Sequence, residues 1–225
     1  MTKPDTQTAP AMRTKDRIVA GARALFNEQG FGQVTTAALA AHCGIAEGNL
    51  WYHFKTKRKL LEAIAGQFAN EVDSRLAMKP RHDDPVGGYA AMLSRLMQEL
   101  RDYRFLYRDQ AAYGEHVKPI AGRVRDWLES TYDQLEANYM AMVAAGLLDW
   151  PREHLRDLAI NATIILRHGL EHYREMGEPT AEGTGAVRRT LLRHLTLFEY
   201  RLVPEAAERL HTAIERIGET LPEAA

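Results

Sequence analysis

The chain has 225 residues, of which 45% are hydrophobic and 26% charged, with a formal net charge of −1; this is ordinary for a globular chain with enough apolar mass to bury a core. No segment approaches the ~18 uninterrupted apolar residues of a membrane span, so no membrane association is expected. Cys43 is the single cysteine, which excludes an intramolecular disulfide and suits a reducing, cytoplasmic location.

The near-neutral total hides an asymmetry. Residues 1–66 carry nine Lys/Arg against five Asp/Glu, an excess of four positive charges, and the remainder is acidic. A basic N-terminal piece beside an acidic body suits a polyanion binder with a separate partner domain, although four charges over 66 residues also fit ordinary scatter.

Residues 1–13 are polar and contain prolines, without the apolar run of a signal peptide, and read as a flexible tail. From there nearly every segment repeats at helical spacing and none alternates like a strand. Thr14 is placed as an N-cap, with Asp16 in the first turn and Ile18, Val19, Ala22, Leu25 and Phe26 on one face. Gly30 and Gly32 end that helix. Thr35 caps a second helix with Ala38 and Leu39 inward, and Gly44 makes the turn into a third element carrying Leu50 and Phe54. Thr56 caps a longer helix with Leu60, Leu61, Ile64 and Phe68 on one side.

Beyond it, Met78–Gly88 reads as a break, with two prolines and two glycines. Helices are expected over Tyr89–Arg101, Pro119–Ala145, Arg152–Met176, Ala186–Leu202 and Pro204–Glu219, with breaks at Gly146–Pro151 and Gly177–Gly185. The expected fold class is all-α: a three-helix N-terminal domain over residues 14–60, and a larger helical body over residues 61–225.

The stretch Thr35–Lys57 has the grammar of a helix-turn-helix, which places one short helix in a DNA major groove. Gly48 carries no side chain to block a close approach. Asn49 can pair with adenine, and Glu47 can accept from cytosine N4. Thr35 and Thr36 offer hydroxyls and helix N-terminal amides to phosphate. Trp51, Tyr52 and His53 bring donors suited to the sugar-phosphate backbone, and Lys57 adds charge at the start of the next helix, beside Lys55, Arg58 and Lys59. Leu25, Phe26, Leu39, Ile45, Leu50 and Phe54 read as core, and Cys43 as a small buried apolar residue.

These residues resemble the TetR family of bacterial transcriptional regulators. The likeness runs from Thr14 to about Phe68, through Ala24-Leu25-Phe26, Gly30-Phe31, Val34-Thr35-Thr36, Leu39-Ala40 and Cys43-Gly44-Ile45. Its strongest part is Gly48-Asn49-Leu50-Trp51-Tyr52-His53-Phe54, followed by Lys57 and Leu60-Leu61. Trp51 stands where the family usually has tyrosine, which keeps an aromatic ring and loses the phenol hydroxyl. The resemblance implies a homodimer held by a four-helix bundle, a palindromic double-stranded DNA operator, and an inducer cavity in each body for a small-molecule effector of unknown identity. Repression relieved by that effector is the expected activity; no cofactor, catalytic residue or resident metal is expected.

Two helices are the expected dimer surface, on the strength of Ile160, Ile164, Leu166, Leu170 and Tyr173 in the first and Leu191, Leu192, Leu195, Phe198 and Leu202 in the second. For the effector cavity the candidates are Tyr103, Phe105, Tyr107, Arg108, Tyr113, Trp127, Tyr132, Tyr139, Met140 and His168, since apolar cavities with a few polar tips take small molecules. Aromatics at helical spacing are also plain core. A rival chemistry lies in His168-Gly169-Leu170-Glu171-His172, which fits H-x-x-E-H: two His one turn apart can share a zinc ion, with Glu171 as general base, giving a hydrolase-like or metal-sensing role.

Overall fold

The computed structural model describes residues 13–108, 117–180 and 183–219, so the expected tail and Tyr113 lie outside the described residues. Among the described residues every regular element is helical, and the one β-type pairing is an isolated bridge between Leu148 and Leu202.

Helix α1 (Thr14–Gln29) starts a residue earlier than expected: Arg13 is the N-cap and makes no side-chain cap bond, so Thr14 is the first helical residue and not the cap. Thr35 does cap α2 (Thr36–His42), its hydroxyl accepting from the Ala38 N–H at 3.1 Å. Gly44 then adopts φ +64°, a conformation that costs side-chain-bearing residues about 1 kcal/mol or more. The turn leads into α3 (Glu47–His53). Thr56 caps α4 (Lys57–Leu76) through the Lys59 N–H at 3.1 Å.

The expected break at Met78–Gly88 is shorter than the residue types suggest. Asp84 caps α5 (Pro85–Asp102) by accepting from the Gly87 N–H at 3.1 Å, and Pro85 takes the first turn, where its missing N–H is not needed. Proline and both glycines therefore begin a helix. A corner at Tyr103 leads to the five-residue α6 (Arg104–Arg108). Helix α7 (Val124–Ala144) and α8 (Leu155–Glu175, preceded by a 3-10 turn at Arg152–His154) pack side by side. Helix α9 (Ala186–Leu195) stops seven residues short of expectation, where the Thr196 hydroxyl donates to the Arg193 carbonyl at 2.6 Å and a 3-10 turn at Glu199–Arg201 follows. Helix α10 (Pro204–Glu219) completes the body.

Among the described residues two large apolar clusters and one small one, Leu170, Tyr173 and Ala186, form the interior. The first joins α1–α3 to α4 and continues past Phe68 and Val72 to Tyr103, Phe105, Ile120 and Trp127. The expected domain boundary at residues 60 and 61 falls inside α4, whose buried face runs unbroken from Leu60 to Val72. The second cluster is built from α5, α7, α8, α9 and α10. Helix α9 is largely interior: Leu191, Leu195 and Phe198 are buried within the subunit, as are Leu166, Leu170 and Tyr173 of α8. These side chains are therefore not offered to a second copy, whereas Ile164 is 53% exposed on the outer face of α8.

At the centre of the second cluster three polar groups meet. The Tyr89 and Tyr139 hydroxyls lie 2.8 Å apart, and both reach His194 Nε2, at 2.8 and 3.1 Å. Burial without a counter-charge lowers the His194 pKa from 6.5 to about 3. The unfolded chain therefore takes up this proton first. The contribution of neutral His194 is complete above pH 6.5 and is lost as the pH falls toward 3, by up to roughly 5 kcal/mol. The urea-unfolding free energy of the wild type should fall steeply over that window, and that of His194→Gln should be flatter. Equal slopes would remove His194 as the source.

Candidate nucleic-acid interface and internal cavity

Helix α3 is held by its inward residues and presents the rest. Leu50 and the following Phe54 are buried against α1 and α4, while Glu47, Gly48, Asn49 and Tyr52 are exposed, Tyr52 to 76%. Trp51 and His53 are half-buried on its flanks, with the His53 ring edge-on to Tyr52 at 5.2 Å. Nothing lies within 4 Å of where a Gly48 Cβ would stand. Glycine inside a helix costs about 1 kcal/mol relative to alanine, and no packing in the subunit requires it here. Its effect is to keep the exposed surface of α3 low at this point.

Helix α2 is fixed beneath α3 by α1. A Cβ on Gly21 would come within 2.9 Å of Cys43 Sγ, so the two helices touch there. Arg17 donates to the Cys43 carbonyl at 3.4 Å. Cys43 itself is half-buried, and desolvation raises its thiol pKa against the opposing pull of Arg17, which leaves it a protonated packing residue.

The structure changes the reading of four expected contacts, those of Thr36, Glu47, Thr35 and Lys57. The Thr36 hydroxyl donates to Glu47 Oε1 at 2.6 Å, so these two groups, assigned to phosphate and to a base, engage each other across the turn. Thr35 is exposed but its hydroxyl oxygen already caps α2. Lys57 is turned inward: its ammonium donates to the carbonyls of Phe31 and of Val34 (2.5 Å for the latter) and stands 4.4 Å from the centre of the Phe31 ring. Desolvation lowers its pKa below the usual 10.5. An inward lysine clasps the α1–α2 loop onto α4 and does not face phosphate. The outward positive charge beside α3 comes instead from Lys55, with Arg58 and Lys59 near Glu62 at 3.6 and 2.6 Å.

A cavity of about 50 Å³ lies between α4, α5, α6, α7 and α8. Its walls are mostly apolar, including Phe68, Leu100, Leu106, Trp127 and Leu166. One side is polar and completely internal: Arg75 donates to Glu99 (2.8 Å), Gln134 (2.8 Å) and Thr131 (3.2 Å), and Tyr107 donates to the other Glu99 oxygen. Arg75 and Glu99 are only 3% and 2% exposed. The Tyr107 pKa is raised well above the usual 10, by burial first and the Glu99 charge second.

Of the expected cavity residues, Tyr107 and Trp127 line it. Tyr103 and Phe105 are buried beside it, Tyr103 tilted against the Phe68 ring and Phe105 edge-on to Phe26. Tyr139 belongs to the His194 triad in the other cluster, and Met140 packs against that cluster. Tyr132 sits on the outer face under Arg156, Arg108 donates to the Phe26 carbonyl at 3.5 Å, and His168 is exposed. Helical spacing says that a residue turns inward; it does not say which interior it meets. The residues missed were Arg75, Glu99, Thr131 and Gln134. Glu99 had a signal, a charge set between Leu96 and Leu100 on the apolar face of α5.

The H-x-x-E-H stretch does not assemble a metal centre. His168 and His172 are exposed, Glu171 accepts from Arg174 at 2.5 Å, and no group of three His, Cys, Asp or Glu able to hold a metal occurs among the described residues.

A solvent-facing helix-turn-helix carried on a helical body with an internal cavity defines a DNA-binding regulator class. Comparison with known proteins agrees: residues 18–64 match the family model described as "Bacterial regulatory proteins, tetR family", and residues 67–210 match the one described as "Bacterial transcriptional repressor". The chain belongs to the TetR family, whose members are transcription regulators and not enzymes. The regulator UidR of Escherichia coli K12 is 37% identical over 60 residues, 27% of this chain and 31% of UidR, so the match spans under a third of that relative. The class D tetracycline repressor of Escherichia coli is 28% identical over 141 residues, 60% of this chain and 56% of the repressor. A TetR-family regulator from Marinobacter aquaeolei VT8 shares the fold, with a TM-score of 0.68 and 23% identity over 92% of this chain and 99% of that one.

Asn49→Ala should weaken binding to the preferred DNA sequence by about 1–3 kcal/mol and relax base choice. Lys55→Ala should weaken all sequences alike and reduce the salt slope by about one. Lys57→Met should instead lower the stability of the helix-turn-helix by ~1–3 kcal/mol, with DNA affinity lost only as that domain melts. Fluorescence anisotropy against two unrelated duplexes, alongside thermal unfolding, separates these three outcomes.

Proposed function

We propose that the protein is a cytoplasmic repressor that binds a palindromic operator as a homodimer and releases it when a small molecule occupies the internal cavity. The observation that carries the DNA half is the division of α3 into a buried anchor, Leu50 with Phe54, and an exposed Glu47-Gly48-Asn49 end beside Lys55. One α3 per subunit enters the major groove, so half-sites on one DNA face lie ~34–36 Å apart or a multiple of it. The outer face of α8 around Ile164 is our choice for the subunit contact.

The cavity supports the ligand half and constrains the ligand. Every buried side-chain nitrogen and oxygen of its wall has a hydrogen-bond partner within the protein. A charged effector would lose its hydration there and find Arg75 and Glu99 paired with each other and Arg167 over the Tyr107 ring, so affinity has to come mainly from apolar contact. Effector cavities usually hold ~300–1,000 Å³, far more than the present 50 Å³, so binding requires the walls to part. The effector then shifts the population toward a state with altered spacing of the two α3 helices, by no more than its differential affinity for the two states.

Footprinting of genomic DNA should reveal a palindrome, and a thermal-shift screen should find stabilising compounds that are uncharged and apolar. Thr163→Trp, which places a bulky ring in the cavity wall, should leave operator binding intact and abolish release by such a compound in a gel-shift assay. Undiminished release in that variant would move the effector elsewhere.

A further inference from the structure

Helix α1 meets the corner between α5 and α6 through three side chains on one face, Arg23, Phe26 and Asn27. Asn27 bonds both sides of that corner at once. Its amide nitrogen donates to the carbonyls of Asp102 (2.9 Å) and Arg101 (3.4 Å), at the end of α5. Its side-chain oxygen accepts from the Phe105 N–H (3.0 Å), in the first turn of α6. The Asn27 backbone carbonyl accepts from Arg104 (3.4 Å), whose guanidinium also holds Thr180, beyond α8, at 2.9 and 3.1 Å.

The two residues that follow Phe105, Leu106 and Tyr107, are cavity wall. Among the cavity's helical walls, α6 has five residues and α4, α5, α7 and α8 each have 18 or more. A short helix closes few hydrogen bonds of its own and is the wall most easily displaced.

We propose that Asn27 is the positioning residue that transmits displacement of α6 to α1, and through α1 to the helix-turn-helix. This rests on the reading that the cavity takes the effector and α3 reads the operator. Cavity expansion that moves Leu106 and Tyr107 must drag Asn27 or break its bond to Phe105. Either way the end of α1 loses the frame set by the corner. The reverse also holds, because coupling between two sites is reciprocal: DNA held by α3 stiffens α6 through the same side chain.

The reciprocal direction can be tested without knowing the effector. The full-length protein is given the duplex it selects from a random-sequence pool, and hydrogen exchange is followed by mass spectrometry in peptides spanning 104–108. In the wild type, DNA should slow exchange there by about fivefold or more. In Asn27→Ala the slowing should vanish while the duplex still binds, a result that simple destabilisation would not produce. Asn27→Ser, which keeps a polar group at the corner but cannot reach Phe105, replaces the alanine variant if that does not fold, with the same expectation. DNA-bound wild type without slowing at α6, or slowing that survives in the folded variant, overturns the proposal. A wild type that selects no duplex sinks the DNA-binding reading instead.

Discussion

The molecule depends on one helix being buried along its whole length by two different surroundings. Helix α4 turns Leu60, Leu61 and Ile64 toward α1 and α3, and one stripe further on turns Phe68, Val72 and Arg75 toward the body. A helix is stiff over this span because each backbone bond is locked by its neighbours. Helix α4 therefore runs as one continuous element from the head that carries α3 to the cavity wall. The Thr56 cap and the inward Lys57 reinforce the junction: the first satisfies the α4 N-terminus, and the second ties α4 to the loop between α1 and α2.

The buried charge in the cavity wall has a different role from that of the apolar residues around it. Removing two charges from water is expensive, and an ion pair such as Arg75–Glu99 roughly offsets that expense only when the other hydrogen-bonding sites are filled. Here Gln134, Thr131 and Tyr107 fill them, and Gln134 further donates to the Arg75 carbonyl at 2.6 Å. Such a network adds little net stability compared with apolar packing, but it tolerates few alternative arrangements. It fixes how α4, α5, α6 and α7 meet. The same rule explains His194, which is kept neutral because the tyrosine hydroxyls around it offer hydrogen bonds but no counter-charge.

Much was legible in the order of residues because it depends on neighbours a few positions apart. The caps at Thr35 and Thr56, the turn at Gly44, and the inward Leu39, Leu50, Phe54 and Leu60 follow from short-range geometry. So does the exposed end of α3, since Leu50 and the following Phe54 anchor one side of so short a helix and leave the other for a partner. Local signals also misled where two readings of one residue compete. Pro85 with Gly87 and Gly88 suggested a break and instead starts α5, because Asp84 supplies the cap that makes proline welcome there. The apolar run of α9 suggested a surface for a second copy and instead fills the subunit's own core.

The sequence by itself determined the helical class and the helix-turn-helix, because periodicity, caps and glycine turns act over fewer than ten residues, while the family was legible as a resemblance in motif residues such as Gly48-Asn49-Leu50-Trp51-Tyr52-His53-Phe54. Only the tertiary structure decided which inward aromatics face the cavity and which face solid core. It also decided that Lys57 points inside, that Thr36 and Glu47 hold each other, and that Asn27 spans the α5–α6 corner some 75 positions away. Those facts depend on where distant segments come to rest. A side chain's type states what it can bond; the position of its partner is set by the packing of the whole chain.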